Sequence, residues 1–182
     1  MQRINRIFRY LYHTKHLCLQ FGGNSDGKFL AFVDASYGNH DDRKSHYGVS
    51  LHLGFPGGSV QTVSKKTKLV ALSSTEAEYI GLCEAAKIVA WARQFLEEVG
   101  YPQQGPTILY EDNKSAINMV NNGNDHGRTK HIDIRYHYIR DLVEEGKVVV
   151  EYLPTDIMVA DTLTKALDKN KFLKFRESLG LT

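Results

Sequence analysis

Three strand-length segments in succession, followed by strands that come singly between helices, leave few folds open to this chain. Residues 28–33 read Lys-Phe-Leu-Ala-Phe-Val, an apolar run of the length of a buried strand. Tyr47, Val49, Leu51 and Leu53 alternate with Gly48, Ser50 and His52, as a half-buried strand requires. A Gly-Phe-Pro-Gly-Gly turn at 54–58 sends the chain back through 59–64, so the first three strands predict an antiparallel meander. Residues 73–99 carry helical spacing between Ser73-Ser74-Thr75 and Gly100, which suit a helix cap and a helix stop. The pattern then predicts a strand over 107–111, helices over 114–120 and 132–145, and a strand over 147–152. A helix is expected from 154 through 167, and a last one over 171–179. Right-handed crossovers make strands one, four and five parallel. The expected fold is α/β, a mixed five-stranded sheet with helices packed on it.

Ile4, Ile7, Phe8, Leu11 and Tyr12 follow helical spacing. Residues 3–17 are therefore expected to form a basic amphipathic packing helix in preference to a mitochondrial presequence. The Gly-Gly-Asn-Ser-Asp-Gly stretch at 22–27 predicts a boundary. It divides the chain into a connecting segment (1–25), a main domain (26–168) and a helical tail (169–182). No apolar run approaches the ~20 residues of a membrane-crossing helix, so no membrane partner is expected. Cys18 and Cys83, the only two cysteines, supply neither a zinc cluster nor a disulfide framework. The net charge is +2, with Arg3, Arg6, Arg9 and Lys15 unopposed in residues 1–25. The rest is slightly acidic, so any positive surface in it has to be local.

Two strands deliver an acid at their end, Phe-Leu-Ala-Phe-Val-Asp34 and Thr-Ile-Leu-Tyr-Glu-Asp112. In a parallel pair both face the carboxyl edge of the sheet, where ligands of such folds sit. Carboxylates brought together resist ionising unless a cation offsets them, and hard oxygen donors favour Mg²⁺ or Mn²⁺ over zinc. On the long helix, Glu78 heads the row Leu82, Ala85, Val89, Ala92 and Leu96, so Glu78 is expected to point inward. Glu76 starts a row that soon turns polar and is expected to be solvated. Tyr79 and Trp91 are read as core residues. Asp161 lies early in the helix after the fifth strand and, alone, reads as a surface acid.

The order of these acids and the words around them resemble one family, the ribonuclease H domain of copia-type (pseudovirus) retrotransposon polyproteins. The matching words include Val-Asp34-Ala-Ser, Asp42-Arg43-Lys44-Ser45, Ala-Leu-Ser-Ser-Thr-Glu-Ala-Glu78-Tyr, Glu-Asp112-Asn-Lys-Ser-Ala-Ile, Arg128-Thr-Lys-His131 and Val-Ala-Asp161-Thr-Leu-Thr-Lys. The resemblance spans residues 26–168, and residues 1–20 are similar to the family's segment joining polymerase to nuclease. It implies that Asp34, Glu78, Asp112 and Asp161 hold two divalent cations, Mg²⁺ with Mn²⁺ as a substitute. The implied activity is sequence-nonspecific cleavage of the RNA strand of RNA–DNA hybrids. The implied partner is the reverse transcriptase polymerase domain of the same polyprotein, in a cytoplasmic virus-like particle or the nucleus. Cellular members carry a histidine-bearing loop before the fourth acid, and residues 153–160 hold no histidine. Asp156 reads as an extra acid near the site or as a helix cap.

Two local basic clusters remain, Lys65, Lys66 and Lys68 before the long helix and Arg128, Lys130 and His131 after the third acid. They suit phosphate contacts that position a nucleic acid without reading its sequence, or else a solvated face. Ser36 and Asn113 adjoin Asp34 and Asp112 and suit 2′-hydroxyl contacts, or else turns. Two other functions fit such a chain, a non-catalytic or domesticated remnant that binds nucleic acid or polymerase, and an integrase or exonuclease. The early helix glutamate after a three-strand meander opposes the last, and the presence of all four acids opposes the first.

Overall fold

The structure is a computed structural model that describes residues 2–22, 27–122 and 133–182. Its sheet contains β1 (Phe29–Ser36), β2 (His46–Leu53), β3 (Ser59–Lys66), β4 (Thr107–Glu111) and β5 (Val148–Tyr152), in the order β3-β2-β1-β4-β5. Neighbours β1, β2 and β3 are antiparallel, and β1, β4 and β5 run parallel. The mixed five-stranded sheet is thus as the strand order predicts. Period-2 alternation sorts β1 between two faces. Ala31, Val33 and Ala35 join the larger core, while Phe32 joins the smaller one.

The larger core lies under α2 (Ser74–Glu98), α3 (Lys114–Asn122) and α4 (Asp133–Glu144). Leu82, Ala85 and Val89 of α2 are fully buried there, and burying each Leu or Val stabilises by roughly 1.5–3 kcal/mol. The smaller core joins Phe32 to Met158, Val159, Ala160 and Phe175. It seats α5 (Asp161–Thr164) and α6 (Lys169–Ser178) on the opposite face. A helix α1 (Gln2–Thr14) precedes the sheet. The segment after it meets the end of the chain, with Leu19 bridged to Leu181.

Gly48 sets how closely α5 approaches. It pairs with Asp34 across β1 and β2, and a Cβ there would lie 2.6 Å from Leu163 Cβ and 3.1 Å from the Ala160 carbonyl. Gly48→Ala should therefore cost about 1–3 kcal/mol through overpacking and push α5 off the sheet. Denaturant unfolding of the variant checks this, and an unchanged midpoint would refute the close approach.

Four expectations change. The helix expected over 154–167 is two short pieces, a 3-10 turn at Thr155–Ile157 and α5. Burial of Met158, Val159 and Ala160 in the smaller core takes the chain between them out of helical phase. The apolar stripe of α1 is not packed, since Ile7 is 59% and Phe8 65% exposed. Only Tyr10, edge-on to Phe172 at 5.7 Å, ties the stripe's helix to α6 among the ring contacts of the described residues. Trp91 is 60% exposed and stacks on Phe95, whereas Tyr79 is buried as expected. Twelve residues at about 100° each place Trp91 about 120° around the helix from Tyr79.

The fourth change is Glu76, which is buried, not solvated. Ser73 caps α2 by accepting from the Glu76 N–H at 3.1 Å, and Glu76 Oε2 accepts from the Leu72 N–H at 2.7 Å. This reciprocal pair is a capping box displaced by one residue, and it keeps the carboxylate at the helix end. The expected boundary at 22–27 falls largely outside the described residues. No helix among the described residues is long and apolar enough to cross a membrane.

Candidate active site

β1 and β4 are parallel neighbours, so their carboxyl ends lie side by side. Asp34 stands two residues from the end of β1 and Asp112 just past β4. Glu78 comes from the first turns of α2, in a helix that packs on β1. One carboxylate oxygen from each of Asp34, Glu78 and Asp112 lies within 4.8 Å of the others. Asp34 and Glu78 are buried and Asp112 half-buried. The inward reading of Glu78 therefore holds, and three of the four expected acids meet.

Asp161, the fourth, is outside that group but fully buried beside it as the first residue of α5. Two ammonium groups hold it. Lys165 Nζ lies 2.8 Å from Oδ1 and Lys171 Nζ 2.7 Å from Oδ2. Lys165 also reaches Asp34 Oδ1 at 3.4 Å, and the Thr164 hydroxyl donates to Asp34 Oδ2. Thr155 donates to Asp112 Oδ2 at 2.6 Å. The smaller core thus brings to the acids a set of donors that no local pattern announces.

A fifth acid was missed. Glu111 is fully buried, and its Oε1 accepts from the Asp112 and Asn113 N–H groups, each at 3.1 Å. Its alternation with buried Thr107 and Leu109 was the available signal, since that places it on the α2 face toward Glu78. Asp156, by contrast, is exposed and lies in the 3-10 turn.

Burial and mutual repulsion disfavour the charged forms of these acids. Burial raises Asp34 to about 6, partly countered by the Thr164 hydrogen bond and by Lys165. Burial, then the charges of Glu111, Asp34 and Asp112, pushes Glu78 up to about 11. Burial likewise raises Glu111 well above the usual carboxylate range. Glu78 Oε2 and Glu111 Oε2 are buried with no hydrogen-bond partner among the described residues. A buried acceptor without a donor costs about 1–3 kcal/mol, a cost that a divalent ion, if bound, would remove at Glu78. The donor set, all carboxylate oxygen, fits a hard divalent cation.

The candidate nucleic-acid residues are more dispersed. Ser36 ends β1 opposite His46. Asn113 is the cap of α3, its Oδ1 accepting from the Ala116 N–H at 3.0 Å, which leaves the amide nitrogen to donate. Lys65, Lys66 and Lys68 are exposed at and beyond the end of edge strand β3. Lys66 is 2.8 Å from Asp42 Oδ1 and, through that hydrogen bond, holds the Asp42 carboxyl at about 2. Arg128, Lys130 and His131 lie outside the described residues. A groove of about 670 Å³ lined by Trp91, Arg93, Tyr138 and Leu142 lies at the other end of the sheet, where Arg93 donates to the Gly105 carbonyl and to Thr107 at the start of β4. It has no part in the carboxylate site.

No protein-family model matches the chain. The Pol polyprotein of transposon TNT 1-94 from Nicotiana tabacum is 41% identical over 181 residues, which is 99% of this chain and 13% of that polyprotein. That of transposon RE1 from Arabidopsis thaliana is 35% identical over 100% of the chain and 12% of its own length. The chain therefore spans about an eighth of the curated relatives it matches. Among solved structures, a ribonuclease H1 isolated from compost superposes with a TM-score of 0.59 at 14% identity, covering 76% of this chain and 93% of that one. The same enzyme in complex with an RNA/DNA hybrid gives 0.56 at 15% identity, over 79% of this chain and 99% of that one. The chain has the ribonuclease H fold and belongs to the copia-type retrotransposon Pol polyprotein family.

Proposed function

We propose that the chain is an endonuclease that hydrolyses the RNA strand of RNA–DNA hybrids without sequence preference, in concert with the polymerase domain of its polyprotein. The observation that carries this is the cluster of Asp34, Glu78 and Asp112, with an unpartnered buried oxygen on Glu78, at the carboxyl edge of a ribonuclease H sheet. These three, with Asp161 beside them, would hold two divalent ions, Mg²⁺ or Mn²⁺. When bound there, such ions would supply a nucleophilic water at neutral pH and charge neutralisation at the leaving oxygen, the chemistry that would leave 3′-hydroxyl and 5′-phosphate ends. The protein's share is placement. Thr164 orients Asp34, Thr155 orients Asp112, and Glu111 fixes the two amides that follow β4. No side chain acts as nucleophile in this scheme.

Cleavage of an end-labelled hybrid in Mg²⁺ tests the proposal. Product ladders along the RNA strand are expected, and an intact RNA strand with a folded protein would overturn it. Ser36, Lys65, Lys66, Lys68, Asn113, Arg128, Lys130 and His131 are proposed as hybrid contacts. Each lysine that touches a phosphate should contribute about one to the slope of log binding against log salt. Lys65→Ala and Lys68→Ala should each flatten that slope by about this much, and Lys66→Ala by less, because Asp42 already holds it. Fluorescence anisotropy over a salt series measures the slopes. Unchanged slopes for all three would return these lysines to the reading of a solvated face.

A further inference from the structure

The carboxylate site is divided. On one side Asp34, Glu78 and Asp112 crowd together, and no ion pair among the described residues reaches Glu78 or Asp112. On the other side the Lys165 ammonium stands between two acids, 3.4 Å from Asp34 Oδ1 and 2.8 Å from Asp161 Oδ1. We propose that Lys165 is the resident cation of the Asp34–Asp161 half of the site. At rest the protein then takes one divalent ion, on Asp34, Glu78 and Asp112, and a second only when the Lys165 ammonium is displaced. This inference rests on the metal-site reading above and deepens it.

Stability alone does not account for Lys165. A buried carboxylate needs a partner, because one left uncompensated is strongly destabilising. For Asp161 that partner exists in Lys171, which comes from α6 and whose side chain is 25% exposed. Lys165 is a second cation on the same carboxylate, and it alone of the two also reaches Asp34. Its position follows from the backbone. Lys165 closes α5 four residues after Asp161, and its N–H bonds the Asp161 carbonyl at 3.1 Å. Its neighbour Thr164 takes Asp34 Oδ2, which leaves Oδ1 to the ammonium. The Lys165 side chain is 41% exposed, so a flexible stem can swing its charge into solvent when a divalent ion arrives. Lys165 and Lys171 together already balance the two carboxylates, so a divalent ion enters this half only in exchange for the Lys165 ammonium. Lys165 is thus a positioning residue that spaces the two acids and sets the order in which the site fills.

The test counts ions. Mn²⁺ is titrated into the metal-free full chain and free Mn²⁺ is followed by electron paramagnetic resonance. The wild-type protein should bind one ion, with a second at least about tenfold weaker, and Lys165→Met should tighten the second by at least about tenfold, the scale on which an adjacent charge acts. Lys165→Arg should behave as wild type. Lys171→Met removes the same charge from the same carboxylate without touching Asp34, and it should leave the second ion weak. Two ions of equal affinity in the wild type, a second ion still weak in Lys165→Met, or an equal gain in Lys171→Met would each overturn the proposal while leaving the metal site standing. A wild-type protein that binds no Mn²⁺ would overturn the metal-site reading itself. Should Lys165→Met fail to fold, acylation of wild-type Lys165, read by peptide mass spectrometry, decides the matter. The rate should rise across the range where the second ion binds, and a flat rate would overturn the displacement.

Discussion

Glu78→Gln is expected to leave a folded protein that no longer cleaves a hybrid, while Glu76→Gln stays active. Gln is nearly isosteric with Glu, yet its amide is a poor ligand for a hard cation. Losing one ligand forfeits several kcal/mol of transition-state charge stabilisation, which is roughly a thousandfold in rate at about 1.4 kcal/mol per factor of ten. The fold should tolerate the change, because burial already disfavours a charged Glu78, holding its carboxyl up at about 11. Without metal, Glu78→Gln should be as stable as the wild type or slightly more so.

Both glutamates are buried, so burial does not separate them. Direction does. Glu78 brings a carboxylate oxygen within 4.8 Å of those of Asp34 and Asp112, whereas Glu76 turns back to the Leu72 N–H. Gln can fill the capping-box position too, so Glu76→Gln should lose little, while Glu76→Ala should lose roughly 0.3–1.5 kcal/mol of stability. Single-turnover cleavage and thermal unfolding of all three variants measure this. A dead Glu76→Gln beside a live Glu78→Gln would invert the phase of α2.

The sheet and the inward face of α2 were legible because both rest on local periodicity. Val49, Leu51 and the row from Glu78 to Ala92 are buried as that periodicity predicts. Asp34, Glu78 and Asp112 could be placed at one edge because parallel strands and a following helix admit little else. Glu76 was misread for a physical reason. Its row turns polar only after two buried members, Ile80 and Cys83, because α2 is buried all round from Glu76 to Cys83. Thr155, Thr164, Lys165 and Lys171 were not legible as site residues. What brings them to the acids is the smaller core of Phe32, Met158, Val159, Ala160 and Phe175, and a contact made through tertiary packing has no period along the chain. Glu111 lay between. Strand alternation pointed it inward, but its neighbour Asp112 carried the recognisable word.

The metal-free protein should lose stability as pH rises from about 4, and Mg²⁺ should reverse that trend. Asp34 holds its proton up to about 6 in the fold against an ordinary value of 3.8. Its contribution is therefore complete below about pH 4 and is lost as pH climbs through 6. At about 1.4 kcal/mol for each tenfold change in proton affinity, that loss is about 3 kcal/mol at most. Glu78, held up to about 11 against 4.5, acts in the same direction from about pH 4.5 upward. Exposed Asp42, held low at about 2 by Lys66, acts oppositely below about pH 4, and His46 and His52, both lowered by burial, act oppositely up to about pH 6.5 but equally in EDTA and in Mg²⁺. A bound divalent ion favours the deprotonated acids, so the slope changes sign when the site is filled. At a Mg²⁺ concentration about a hundredfold above the dissociation constant, binding adds about 2.7 kcal/mol, which is about 5–10 °C in melting temperature for a chain of this size. Melting curves from about pH 4.5 to 8, with EDTA and with Mg²⁺, should therefore diverge toward alkaline pH. Parallel curves in the two solutions would mean that these carboxylates do not share a cation.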